Sequence, residues 1–408
     1  MKKSVLKKYA KLIATCGVNV QKGQEVIVNA AVDQVPLVKE VVEACYKRGA
    51  KRVTVEWGCS EVTKVGYKYM SVETMSEIPQ WQIEKMKRRV EVIPARIHIA
   101  SGAPDAMKGV DQKKLAQVSM KTYPIMKPYI DQIDNKDQWC IAGAASPEWA
   151  KKVFPDLPKK QAVEKLWEAI LYTSRIWDDP VAEWKKHNKD LREKCERLNN
   201  LGLVELRYKS SNGTDFKVGL LPNANFLGGS EFALGSGIEF NPNVPSEECF
   251  TSPRKGAAEG LVVATKPLSY QGELIENFSI RFENGKAVEV HAEKGEELLK
   301  QMISMDENAG YLGEVALIPY DSPINNTGIL FYNTLYDENA SCHLALGRGF
   351  TNCIRNYDQY SQKELQEMGI NSSMIHVDFM IGSEDMDIVG VKEDGTTVQI
   401  FKNGNWAF

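Results

Sequence analysis

Five side chains in the second half of the 408-residue chain have the types that a divalent-cation centre needs: Glu248, Glu314, His343, His376 and Asp378. His376-Val377-Asp378 reads as a strand. The period of two puts its imidazole and carboxylate on one face, a few ångströms apart, and both are ligands for divalent ions. The same spacing also fits a histidine that is simply hydrogen-bonded to an acid. His343 follows Asp337-Glu338-Asn339-Ala340-Ser341-Cys342 and precedes Leu344–Leu346 and a Gly347-Arg348-Gly349 turn. As structure this is a capped loop entering a strand. As chemistry it is a half-buried imidazole, able to bind a cation through one nitrogen while the other is oriented by a neighbour. Glu314 lies in Gly313-Glu314-Val315-Ala316-Leu317, a lone carboxylate in an apolar strand. A buried charge without a partner costs several kcal/mol, and a cation would be that partner. Glu247-Glu248 sits in Asn243–Phe250. Adjacent like charges are usually solvated, but the Cys249–Pro253 segment after this pair reads as a turn packed into the body of a domain.

Two glutamates, two histidines and an aspartate suit a dinuclear site. A bridging carboxylate holds two ions about 3.5–4 Å apart, and a shared water becomes a hydroxide nucleophile near neutral pH. A structural zinc site would instead be closed, tetrahedral and cysteine-rich. The eight cysteines are spread thinly and none forms a C-x-x-C pair, which fits reduced thiols rather than a disulfide framework. No G-x-x-x-x-G-K-[ST] or G-x-G-x-x-G follows a strand, so no nucleotide site is expected. Lys+Arg 51 against Asp+Glu 54 leaves −3, a balance that gives no basis for a nucleic-acid or membrane-surface role. Met1–Tyr9 has basic residues but no signal-peptide core behind it, and no apolar run approaches the roughly 20 residues of a membrane span. The expected location is the cytoplasm.

These groups need a scaffold. Leu6–Cys16 and Val35–Arg48 carry helical apolar stripes, while Glu25–Ala31 and Arg52–Trp57 are β-branched runs. Strand, helix, strand within this short span is a βαβ unit and predicts a parallel sheet. Val90–Ala100 supplies further strand, interrupted by Pro94, and Gln138–Ala144 another. Asp111–Met126, Ala162–Arg175 and Val181–Leu201 are amphipathic helices, the last serving as a connector. After Gly202 the pattern changes to short strands (Leu203–Tyr208, Phe216–Leu221, Gly260–Thr265, Ser279–Phe282, Ala287–His291, Gly313–Pro319) with Asn212-Gly213, Asn284-Gly285 and Asp394-Gly395 turns. The expected fold is an α/β N-terminal domain with a parallel sheet, residues 1–200, and an α+β, antiparallel-rich C-terminal catalytic domain, residues 201–408.

The chain resembles the M29 family of metallo-aminopeptidases, the aminopeptidase T, aminopeptidase S and PepS group, over nearly its whole length. The resemblance is carried by Leu6–Val20, Gly23-Gln24 and Ala162–Ile170, and is strongest in Asn243–Thr251, Lys266–Asn277 and Gly313–Gly347, where Gly328–His343 (GILFYNTLYDENASCH) is long and specific. It implies that Glu248, Glu314, His343, His376 and Asp378 hold two divalent ions, zinc, cobalt or manganese. It also implies a homodimer enclosing a cavity that admits short peptides. The expected reaction is hydrolysis of the N-terminal peptide bond, with Glu248 or Glu247 moving the proton. One position departs from the family: a tyrosine seven residues after the first ligand histidine is here Phe350. A phenyl ring neither ligates nor donates a hydrogen bond. Either a nearby hydroxyl, Tyr357 or Tyr360, replaces it, or catalysis is slowed. Two alternatives stay open: a catalytically weakened, peptide-binding relative, and a dipeptidase or amidase on the same site. Arg348 and Arg355 are further candidates for holding a peptide carboxylate.

Overall fold

A computed structural model describes residues 1–408. The chain divides into two compact units, Met1–His187 with Ser230–Pro245, and Asn188–Gly229 with Ser246–Phe408. A single cut at 200/201 therefore does not describe the chain. The division falls inside the helix Pro180–Asn200, and Ser230–Pro245 returns to the first unit. No helix is long and apolar enough to cross a membrane.

The first unit is α/β. Its five-stranded sheet runs in the order Arg52–Gly58, Glu25–Ala31, Ala95–Ala100, Trp139–Gly143, Asn243–Val244, with every pairing parallel. Along Glu25–Ala31 the residues Val26, Val28 and Ala30 are buried, the alternation expected of a strand. The returning segment from Ser230 explains the last, two-residue strand, which its length alone would not announce. Strand was expected from Val90, but helix Gln80–Val92 persists, and Ile93 leaves it in the left-handed region (φ 42°) before Pro94. The residue before a proline is disfavoured in the α region, so the helix stops there and the strand begins at Ala95. Helices Ser60–Tyr69 and Gln80–Val92 bury nothing and only Met86, respectively. The helix expected over Asp111–Met126 spans Gln112–Ile133, with Pro124 and Pro128 inside it.

The second unit is antiparallel-rich, with a nine-stranded and a four-stranded sheet. The four-stranded sheet runs Cys249–Thr251, Leu312–Leu317, His343–Gly347, His376–Met380, all antiparallel. One of its faces sends Cys249, Val315, Leu317, Leu344, Leu346, Val377 and Phe379 into the unit's main apolar core. The other face carries the polar candidates. Ala345 pairs with Glu314 on one side and Asp378 on the other, His343 lies two residues from Ala345, and His376 lies two from Asp378. Directly paired residues and residues two apart share a face, so all four chemical groups project together over the small Ala345 side chain.

A bulge makes this possible. Leu312 pairs with Leu346, but Glu314 pairs with Ala345, so Gly313 is an extra residue on its strand. Without it, Glu314 would share the face of Leu312 and enter the apolar core; the extra residue turns it to the opposite face. The position has to be glycine, because a Cβ there would stand 2.2 Å from the Arg348 carbonyl oxygen and 2.6 Å from that of Gly347. Gly313→Ala is expected to destabilise the second unit by about 1–3 kcal/mol through this overpacking. Differential scanning calorimetry checks this: its unfolding transition should move to lower temperature, whereas an unmoved transition would show that the backbone yields freely.

Candidate metal centre

Glu248 enters the site from the bend just before the edge strand Cys249–Thr251, Glu314 from the bulged strand, His343 from the head of the next strand, and His376 and Asp378 from the last. Their ligand atoms form two groups, each close enough to surround one ion. The first is Glu248, Glu314 and His343; the second is Glu314, His376 and Asp378. Glu314 belongs to both. Its Oε2 lies 3.1 Å from His376 Nε2 and its Oε1 3.9 Å from His343 Nε2. Asp378 Oδ1 stands 3.3 Å from His376 Nε2 and 3.8 Å from His343 Nε2, and Glu248 Oε2 stands 3.6 Å from the latter. The His376 side chain is 25% exposed and that of His343 only 1%, so the site is reached from the His376 side.

Both imidazoles are turned the same way. His343 Nδ1 donates to the Glu338 carbonyl oxygen at 2.8 Å, and His376 Nδ1 donates to that of Arg348 at 2.7 Å. A carbonyl can only accept, so in the neutral ring the proton sits on Nδ1 and the Nε2 lone pair faces the carboxylates.

The electrostatics show how strongly this cluster attracts positive charge. Burial alone would lower the His343 pKa, but the neighbouring Glu314, joined by Asp378 and Glu248, pushes it up to about 9. His376 is opposed by burial in the same way, and Asp378 and Glu314 carry it well above the usual imidazole range. Burial would raise the Asp378 carboxyl; the charge and hydrogen bond of His376, the charge of His343 and a hydrogen bond from Glu338 bring it down to about 2. Glu314 is likewise held below the ordinary range despite burial, by the His343 and His376 imidazoles beside it. Protonated imidazoles thus take the place that cations can fill.

The sequence reading passed over one group. Glu338 is buried beside the five, and burial together with repulsion from Asp378, Glu248 and Glu314 drives its carboxyl far above the usual range. It is a fourth carboxylate of the same cluster. The sequence shows two adjacent acids there, and nothing local distinguishes them. Asp337 spends its oxygens on the Phe331 and Asn333 backbone N–H groups, at 2.8 and 3.0 Å, while Glu338 faces the cluster. Glu248, Glu314, Glu338 and Asp378 are four buried carboxylates, and the donor set of oxygens and imidazoles suits divalent ions.

The remaining candidates take other positions. Glu247 is buried next to Glu248, its backbone N–H donating to Asn339 Oδ1 at 2.8 Å. Phe350 lies tilted against the His376 ring, centroids 4.8 Å apart, and meets Phe250 edge-on at 5.7 Å. Tyr357 opens a short 3-10 turn and packs against the separate apolar cluster of Leu221, Ile354, Leu365 and Ile370. Tyr360 is partly exposed at the end of that turn. Arg355 donates to the Asn199 carbonyl at 2.7 Å, and Arg348 serves the site through its main-chain oxygen.

Comparison with known proteins agrees with this geometry. Residues 2–406 match the family model of the thermophilic metalloproteases (M29). The aminopeptidase AmpS of Bacillus subtilis is 45% identical over 99% of this chain and 98% of its own length. Aminopeptidase T of Thermus thermophilus is 39% identical over 98% of both chains. The solved structure of wild-type AmpT from Thermus thermophilus superposes with a TM-score of 0.89 at 38% identity, covering 100% of each chain. With the match unbroken from end to end, the chain belongs to the M29 family of metalloproteases and is an enzyme of that class.

Proposed function

We propose that the protein is a cytoplasmic aminopeptidase that removes N-terminal residues from short peptides at a two-metal centre. The observation that carries this reading is the pair of ligand groups sharing Glu314. Aminopeptidase is the name borne by its relatives at 38–45% identity. Glu248, Glu314 and His343 would hold one ion and Glu314, His376 and Asp378 the other, with Glu338 as an added carboxylate. Zinc, cobalt and manganese all suit this set. When bound, the ions supply Lewis acidity for the scissile carbonyl and the substrate's free amine, and acidify a water so that it attacks at neutral pH.

The protein's own groups do the rest. The carbonyl oxygens of Glu338 and Arg348 keep both Nε2 lone pairs aimed inward. Glu248 is occupied as a ligand, so the buried carboxylate beside it, Glu247, takes the proton from the attacking water and returns it to the leaving amine. By its resemblance to the family the protein works as a homodimer whose enclosed cavity admits only short peptides.

A second reading, a peptide binder of weakened activity, has one observation in its favour: Phe350 places a bare phenyl ring against His376. The intact ligand set favours the active enzyme. Losing one hydrogen-bond donor to an oxyanion costs about a hundred- to a thousand-fold in kcat. Phe350→Tyr is therefore expected to raise kcat on an aminoacyl chromogenic amide by about tenfold or more; an unchanged kcat would remove Phe350 from the discussion. A wild type that binds peptide yet cleaves nothing with zinc, cobalt or manganese would favour the binder.

Two variants separate the roles. Glu314→Ala should release both ions and abolish cleavage, as read by metal analysis of the gel-filtered protein; retention of metal and activity together refutes the assignment. Glu247→Gln should keep both ions and lose about a hundred- to ten-thousand-fold in kcat, the span of general acid–base contributions. Should its kcat stay near wild type, Glu247 is not the shuttle.

Metal loading should also depend on pH. His343 must be neutral to ligate, and in the metal-free protein its pKa stands at about 9. Below that value an ion displaces a proton from His343, so affinity rises with pH through the neutral range. Calorimetric titration at pH 7 in buffers of different ionisation enthalpy should find at least one proton released per centre filled; no release would contradict the imidazole's role.

A further inference from the structure

Asn339 is wholly buried in the 3-10 turn Glu338–Ala340, and its amide is fully used. Its Oδ1 accepts the Glu247 backbone N–H at 2.8 Å. Its Nδ2 donates to the Leu335 carbonyl oxygen at 3.1 Å and to Glu338 Oε1 at 3.2 Å. One side chain therefore ties together two segments distant in sequence. One carries the Glu247-Glu248 pair. The other carries Glu338, whose own carbonyl orients His343. The turn is fastened from outside as well, because Ser322 Oγ donates to the Ala340 carbonyl oxygen at 2.6 Å.

We propose that Asn339 is a positioning residue for the metal centre: it fixes the separation between the Glu247-Glu248 bend and the Glu338 carboxylate, and thereby sets the affinity for the ions. The inference rests on the two-metal reading above. It follows from the chemistry of the side chain. A carboxamide has one acceptor oxygen and two N–H donors, matching the three demands made here. Aspartate has the same shape but no donor. It keeps the acceptor for Glu247 N–H while turning an oxygen toward both the Leu335 carbonyl and the Glu338 carboxylate. Glu338 loses the hydrogen bond that holds it and, once ionised to face a cation, gains a neighbour of like charge. Serine is too short to span the gap. Partners that orient metal ligands typically contribute ten- to a hundred-fold in affinity.

The test uses the full-length protein stripped with a chelator and titrated with Mn²⁺ alone in a calorimeter, comparing wild type, Asn339→Asp and Asn339→Ser. The Mn²⁺ dissociation constant is expected to rise about ten- to a hundred-fold in the aspartate variant. The gain in melting temperature that Mn²⁺ gives should shrink with it. A dissociation constant within twofold of wild type in the folded aspartate variant overturns the proposal, as does an equal loss of melting temperature with and without Mn²⁺. If the aspartate variant does not fold, the serine variant is judged by the same constant. If neither folds at any Mn²⁺ concentration, the role is structural and the proposal fails. A wild type that binds no Mn²⁺ would instead bring down the two-metal reading, so the two failures are distinguishable.

Discussion

Four carboxylates buried within one small pocket are the constraint around which the second unit is built. Negative groups this close and this dry cannot all remain ionised unless positive charge joins them. The protein meets the demand in two ways at once. It sets two imidazoles among the acids, and these hold protons far more tightly than free histidine does. It also leaves the carboxylate oxygens and the Nε2 atoms arranged in two overlapping groups that fit ions. Proton and cation therefore compete for the same place.

Backbone pairing supplies the geometry. The four-stranded sheet presents an apolar face to the core and a chemical face to the site, and the separation of the two depends on strand register. The Gly313 bulge shifts that register by one residue and so decides which way Glu314 points. Ala345, between Glu314 and Asp378 in the same row, keeps the floor of the pocket low. The rigid sheet places Glu314, His343, His376 and Asp378, while Glu248 and Glu338 come from irregular segments and need the additional tie through Asn339.

Much of this was legible in the sequence. His376-Val377-Asp378 announced itself by period two, and the lone charge of Glu314 by its apolar neighbours. The βαβ start and the antiparallel second half followed from β-branched runs and Asn-Gly or Asp-Gly turns. The aspects that escaped share a physical reason. Glu338 and Asp337 are adjacent and alike, and only the tertiary fold decides which one caps a backbone and which one faces the cluster. The Gly313 bulge is invisible without its partner strand. Helices such as Ser60–Tyr69 bury no residue, so no core pattern marks them in the chain. The short strand Asn243–Val244 exists because a distant segment returns to the edge of the first sheet, a long-range event that no local window records.

The two histidines lean on peptide carbonyls rather than on acidic side chains. A peptide oxygen cannot be deleted by exchanging one amino acid for another, so the tautomer is safe from most point substitutions and vulnerable only to shifts of the main chain. A neutral acceptor also pulls less on the ring proton than an anionic one would, leaving the ring a weaker electron donor. An ion held at Nε2 of such rings would be gripped less firmly than one whose ligand ring leans on a carboxylate.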